Sequence, residues 1–310
     1  MKRIIALALT LMMVLSLAAC GGKSDSAPSD SASSDASSSA ADVKAVKLNL
    51  SVPDAESSSI GVAAAEFAKE LNEKSEGRLD VKVYYNGELY GGDATAAVTT
   101  MQDGGLDMLC LATMWYASFD SAFNVINTPY LFSSIDAARA YLNDPVSQPL
   151  WDAVEGMGVK FLAAWTRSFR MTTNNVRPIT CPDDFKGIKL RTPGNQMYLT
   201  FFNACGASAT PMSFSEVYTA LQTNTIDGQE NPADVPYSSS FYEVQKYMTV
   251  SAHVWTSTPL CIAGDFYNSL PADYQAVIAE AAPTPIESTY STSSFTGLVS
   301  SKRRLHLPPY

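Results

Sequence analysis

The stretch "VKLNLSVPDAESSSIGVAAAEFAKELNEKSEGRLDVKVYY", residues 46–85, decides the fold class. Its first part, "VKLNLSV", alternates apolar and polar residues and predicts a strand. Ser57, Ser58 and Ser59 offer hydroxyl caps to a helix whose one face carries Ile60, Ala64, Phe67 and Leu71, and Gly77 stops it. "RLDVKVYY" alternates again. Strand, helix and strand in that order form the βαβ unit of a parallel sheet. Gly91 and Gly92 then turn the chain into a helix capped by Asp93 and closed by Gly104 and Gly105. That turn suits a plain tight bend or an anion cradle at the helix start. "LDMLCLA" reads as a buried strand.

The same alternation continues. Helices are predicted over 136–142, 148–157 and 196–204, with strands at "VKFLAAW", "IKLRT", "KYMTVSAHV" and "LCIAG" and a final helix in "PADYQAVIAEAA". Ser213 and Glu216 have the S-x-x-E spacing of a capping box, which predicts a helix through Val217, Ala220 and Leu221. After it, "LQTNTIDGQENP" (221–232) breaks both periods and reads as a polar loop. Alternating strands and helices over this length predict an α/β protein of two lobes. The chain should cross between lobes near 165–170 and again near 253–258.

Both ends of the chain differ from this pattern. Lys2 and Arg3 precede an apolar run, residues 4–17, and "LAAC" ends at Cys20. This is the layout of a secretory signal, too short for a membrane span of about 20 residues. "LAAC" resembles a bacterial lipobox, which implies lipid attachment at Cys20; two or more acyl chains hold stably at about 0.8 kcal/mol per buried CH₂. Residues 21–42 are nearly all Ser, Ala, Gly and Asp and predict a flexible tether. From 283 to 310 the helical period vanishes and Pro and Ser rise. This tail is expected to be atypical, as from a truncated or frameshifted reading frame.

A net charge of −10 argues against nucleic acid and anionic lipid as partners. It leaves a small anionic ligand open, because exposed charges fade over about 8 Å. Cys110, Cys181, Cys205 and Cys261 are widely spaced without a CxxC. Cys110 and Cys261 lie in apolar runs and read as buried thiols. With only His253 and His306, no metal cluster is expected, and His253 reads as structural.

The segments "YYNGELYGG", "GGLDM", "NTPYLF", "CPDDFKGIKLRTPGN", "GASATPMSFSEVYTALQTNTIDGQENP" and "YEVQKYMTVSAHVWTSTPL" together resemble the DctP-like family, the extracytoplasmic solute-binding proteins of tripartite ATP-independent periplasmic (TRAP) transporters. The likeness spans residues 43–282, and the part over 182–232 is the most specific. It implies a two-lobed periplasmic-binding-protein-like fold of class II type with a ligand cleft. Lobe I would be 43–167 plus 256–282, and lobe II 168–255. It implies a receptor, not an enzyme, that captures a C4-dicarboxylate, keto acid, sialic acid or uronate. Such a receptor passes the acid to an ion-gradient-driven permease, needs no cofactor, and works as a monomer held on the outer face of the cell membrane. A sensory protein that presents a carboxylate to a membrane kinase is the alternative.

The resemblance also implies site residues. Arg191 in "KLRTP" would grip the ligand carboxylate, since a guanidinium fork matches two carboxylate oxygens. Spacing alone favours a surface ion pair of Arg191 with Asp183 or Asp184, and the motif context reverses that preference. Arg170 in "RSFRMTTNN" would be the second arginine, with Arg167 one turn away as its rival. Asn231 would donate to the same carboxylate, or serve only as a turn residue before Pro232. Phe214 would pack on the ligand or staple its helix. Trp115 ends a strand, where open α/β sheets place ligands. Asp227 and Glu230 share a stretch with no nucleophile or base arrangement, which speaks against catalysis.

Overall fold

The computed structural model describes residues 45–283; the signal segment, Cys20, the tether and the tail beyond 283 lie outside the described residues. The scaffold is built from β1 (Val46–Ser51), β2 (Leu79–Tyr84), β3 (Met108–Cys110), β4 (Val159–Asn174), β5 (Lys189–Thr192), β6 (Ser208–Pro211), β7 (Gly228–Pro232), β8 (Tyr247–Thr249) and β9 (Trp255–Ala263). Two lobes share one of these strands. In the first, β1 lies parallel to β2 and β3, and β9 runs antiparallel between β3 and β4, giving the order β2-β1-β3-β9-β4. In the second, β5 lies parallel to β6 and β7, and β4 runs antiparallel between β7 and β8, giving β6-β5-β7-β4-β8. Each lobe thus carries three parallel strands in the same order, continued on one side by two strands that each run antiparallel to the neighbour before.

The first lobe is layered. Ser58 accepts a hydrogen bond from the Gly61 N–H at 2.9 Å and starts the helix Ser59–Lys74. That helix buries Ile60, Ala64, Phe67 and Leu71 against one face of the sheet, beside the helix Ala272–Ala281. The helices Ala94–Gln102 and Gln148–Glu155 cover the other face. Side chains of a strand alternate between faces. Met108 and Cys110 of β3 enter the first core while Leu109 enters the second. With both faces covered, β3 and the second half of β9, residues 260–263, are apolar throughout and read as hydrophobic runs, while the first half of β9 buries Thr256, Ser257 and Thr258.

The second lobe has smaller cores. Ile188, Leu190 and Phe202 pack on one side, and Val217, Leu221 and Phe241 on the other. Between them runs β7, whose sequence Gly-Gln-Glu-Asn-Pro is wholly buried. The expected loop in "LQTNTIDGQENP" is therefore corrected: its second half is a central strand. Backbone pairing with β4 on one edge and β5 on the other sets its conformation, so no apolar period is needed.

Three further expectations change. "VKFLAAW" is only the first part of β4, which continues through Asn174 for 16 residues, about 50 Å of extended chain. β4 pairs with β9 as far as Phe169 opposite Trp255 and with β7 from Arg170 onward. The capping box at Ser213 does not form. The chain enters by a 3₁₀ turn, Phe214–Glu216, before the helix Val217–Gln222, and the Ser213 side chain makes no cap bond. "LDMLCLA" yields the three-residue β3, because at Leu111 the chain leaves the ladder and at Thr113 enters the helix Thr113–Tyr116. The four cysteines 110, 181, 205 and 261 are free thiols, with 110 and 261 buried.

Phe67 is fully buried and meets Trp165 edge-on at 6.0 Å. Phe67→Ala should cost about 3–5 kcal/mol through lost contacts and the cavity left behind, read as a lower midpoint in urea unfolding.

Candidate functional site

The parallel strands of both lobes point their carboxyl ends at a common cavity of about 40 Å³. Pro53 and Asp54 follow β1, Ala112 and Trp115 follow β3, Arg191 ends β5, and Asn231 lies near the end of β7. Ligands of open α/β sheets bind at this end, where strand order reverses on either side of the first strand. The lobes touch closely here. Gly92 has φ +75°, and a Cβ on it would meet the Ser215 hydroxyl at 2.8 Å, so this turn requires glycine for both its conformation and its clearance.

Arg191 is 1% exposed. Its Nε and Nη2 donate to the Met212 carbonyl at 3.0 and 2.6 Å. The Phe214 ring lies 5.9 Å from its guanidinium carbon. Among the described residues it enters no ion pair, whereas both neighbouring arginines do. Burial accordingly lowers its pKa to about 9, with Glu230 opposing that shift, and it stays charged at neutral pH. A buried cation with a single carbonyl partner is costly, and an anionic ligand removes that cost.

Arg170 is as deeply buried but neutralised. Its Nε and Nη2 grip both oxygens of Glu230 at 2.6 and 2.9 Å, and Nη2 also donates to the Asn231 side-chain oxygen at 3.2 Å. Glu230 accepts a third bond from His253 Nε2 at 3.0 Å, while the Ser251 hydroxyl lies 2.8 Å from His253 Nδ1. A carboxylate only accepts, so Nε2 carries the proton and the neutral ring accepts from Ser251. Burial favours a neutral Glu230, yet Arg170 and His253 outweigh it and hold the carboxyl below its ordinary range. Burial also lowers the His253 pKa, despite Glu230. Asn231 donates to Gln229, whose amide donates to Thr173 at 2.8 Å. These polar side chains replace apolar packing in the middle of the sheet.

Arg167 forms the second ion cluster. Nη1 donates to both oxygens of Asp54 at 3.0 and 3.1 Å, and Nη2 donates to Asp234 at 2.9 Å. Asp234, which follows β7, also accepts from the backbone and hydroxyl of Ser59 at 3.1 and 2.7 Å. It thereby links the second lobe to the first turn of a helix in the other. Burial raises the Asp54 pKa more than Arg167 lowers it.

Arg191, Arg170, Asn231, Phe214 and Trp115 all line the cavity. Arg167, the rival candidate, lines it too. Asp54 and Tyr90 were missed, although both lie in stretches the sequence marks as loop or turn. Glu230 and His253 stand behind Arg170 rather than among the lining residues. Among the described residues, no group of three or more His, Cys, Asp or Glu is placed to hold a metal ion.

Residues 51–290 match the profile of the bacterial extracellular solute-binding proteins, family 7, also called DctP. The chain belongs to the DctP family. It is 32% identical over 242 residues to the 2,3-diketo-L-gulonate-binding periplasmic protein of Escherichia coli (strain K12), covering 78% of this chain and 73% of the relative. Its fold is similar to the sugar acid binding protein from Advenella mimigardefordensis strain DPN7T solved with galactonate: TM-score 0.75, 36% identity, 78% and 77% of the two chains. A TRAP periplasmic solute binding protein from Polaromonas sp. JS666 bound to D-erythronate aligns with TM-score 0.73 and 30% identity, over 76% and 78%. DctP proteins are extracytoplasmic receptors that serve TRAP permeases, not enzymes. Among the described residues, no helix is long and apolar enough to cross a membrane.

Glu230→Gln leaves Arg170 buried beside a neutral amide and should cost about 3–5 kcal/mol of stability in urea unfolding. His253 titrates below 6.5 and Glu230 below 4.5 in the folded chain. At these two groups the unfolded chain therefore binds more protons over the acid range, and the stability they contribute falls as pH drops from about 7 toward about 4; Asp54, raised on folding, acts in the opposite direction near the carboxylate range. His253→Asn should flatten the upper part of that slope.

Proposed function

We propose that this DctP receptor captures a small organic carboxylate with Arg191 as the primary grip. The observation that carries this reading is the buried, acid-free guanidinium at the end of β5, facing a cavity shared by both lobes. The free donors of Arg191 take the carboxylate. Arg170 and Asn231, fixed by Glu230 and Gln229, form the adjoining wall, and the rings of Phe214 and Trp115 exclude water. Lobe I comprises 43–167 plus 256–282 and lobe II comprises 168–255. They close on the acid by a hinge motion, because it makes better contacts with the closed form than with the open one. The carboxylates named for the similar proteins, galactonate, D-erythronate and 2,3-diketo-L-gulonate, support an acid ligand. The monomeric receptor is tethered through a lipid on Cys20 and the segment 21–42, and hands its acid to the membrane subunits of the permease.

Titration calorimetry against galactonate and succinate tests the grip. Arg191→Lys keeps the charge but loses the planar fork, and should weaken the tighter of the two acids about tenfold or more, each factor of ten being about 1.4 kcal/mol. Unchanged affinity refutes the role of Arg191. Cys20→Ser should move the protein from the membrane fraction to the soluble one; retention on the membrane refutes the anchor.

A further inference from the structure

We propose that the cavity selects a hydroxylated monocarboxylate over a dicarboxylate, an inference that rests on the carboxylate-receptor reading above and narrows it. Charge matching comes first. Three guanidiniums line the cavity. Arg167 is held by Asp54 and Asp234, and Arg170 by Glu230. Among the described residues, Arg191 is the one lining guanidinium without an acid, and a single carboxylate matches it. A second carboxylate on the ligand meets no free cation among the described lining residues. On the first-lobe side it meets the Asp54 carboxyl, whose two oxygens already face Arg167.

The wall itself supplies the second, independent observation. Tyr90, Thr256 and Thr258 line the same cavity and are 7%, 2% and 1% exposed. Their hydroxyls have no hydrogen-bond partner, and neither has Nε of Arg167. Of eight such buried orphan atoms among the described residues, these four belong to residues around one cavity. Buried hydroxyls are normally satisfied, and clustered exceptions ask for a partner. A ligand hydroxyl both donates and accepts, so it can pair with a Tyr or Thr hydroxyl and accept from a guanidinium N–H. It can also donate to Asp54, since a carboxylate offers about four lone-pair sites. A carboxylate accepts only, and an alkyl chain does neither. The second lobe thus reads the acid end of the ligand, and the first lobe reads its hydroxyls.

Two matched series test this by calorimetry on the intact protein: D-erythronate, butyrate and succinate with four carbons, and D-gluconate, hexanoate and adipate with six. In at least one series the hydroxylated acid should bind about a hundredfold or more tighter than both partners, because a site built for hydroxyls rejects analogues that leave its groups unpaired. Tyr90→Phe and Thr258→Val keep shape and remove one hydroxyl each. Each should weaken the hydroxylated acid about tenfold, because a ligand hydroxyl is then left buried without its partner, and leave the simple alkyl acid within about twofold. Equal or tighter binding of succinate or adipate overturns the inference while the carboxylate receptor stands. Unchanged binding of the hydroxylated acid by both variants also overturns it. If no acid in either series binds, the receptor reading fails and takes the inference with it.

Discussion

A positive charge that the protein does not neutralise for itself governs this structure. Arg191 is almost wholly withdrawn from water, with Phe214 near its guanidinium, and among the described residues the one protein oxygen it grips is an uncharged carbonyl. Such a group is expensive to keep. Its neighbours keep the cost local. Arg167 and Arg170 each have acids at hydrogen-bond distance, so the surrounding field is nearly balanced and the unbalanced charge sits at one place. The affinity of a receptor built this way comes from relieving an existing imbalance, which a neutral solute cannot do.

The burial of so many polar groups beside that charge is possible because they satisfy one another. Glu230, His253, Ser251 and Arg170 form one chain of bonds, and Asn231, Gln229, Thr173 and Gln245 another. A network of this kind is rigid only when complete. That rigidity holds Arg170 and Asn231 still, and their fixed positions define the wall against which the ligand is judged. Stability and recognition therefore draw on the same residues in the second lobe, and in the first lobe one apolar core reaches the cavity through Tyr90, Ala112 and Trp115.

What the sequence disclosed follows from where the information is local. The first βαβ unit was legible because its period, its serine cap and its stopping glycine all lie within forty residues. Arg191, Arg170, Asn231 and Phe214 were picked out through family motifs and Trp115 through its place at the end of a strand, and the structure gathers them around one cavity. β7 was not legible, since Gln229, Glu230 and Asn231 find their partners on β4 and near β8, more than fifty residues away in the case of Thr173 and Arg170. Hydropathy sees three polar residues and infers solvent. The same blindness hid the second half of β4 and the roles of Asp54 and Tyr90, whose meaning depends on the opposing lobe.

β4 also has a mechanical consequence. Two bodies joined by slack chain can drift in any direction, but a continuous strand laced on both edges behaves as a torsion bar. Its ladder with β9 skips register twice, between Phe161 and Ala163 and between Thr166 and Phe169, and the second break holds Arg167 and lies next to Arg170. Twist at that break would be felt at once by the two ion clusters, and in the proposed receptor the crossing and the grip are mechanically one object.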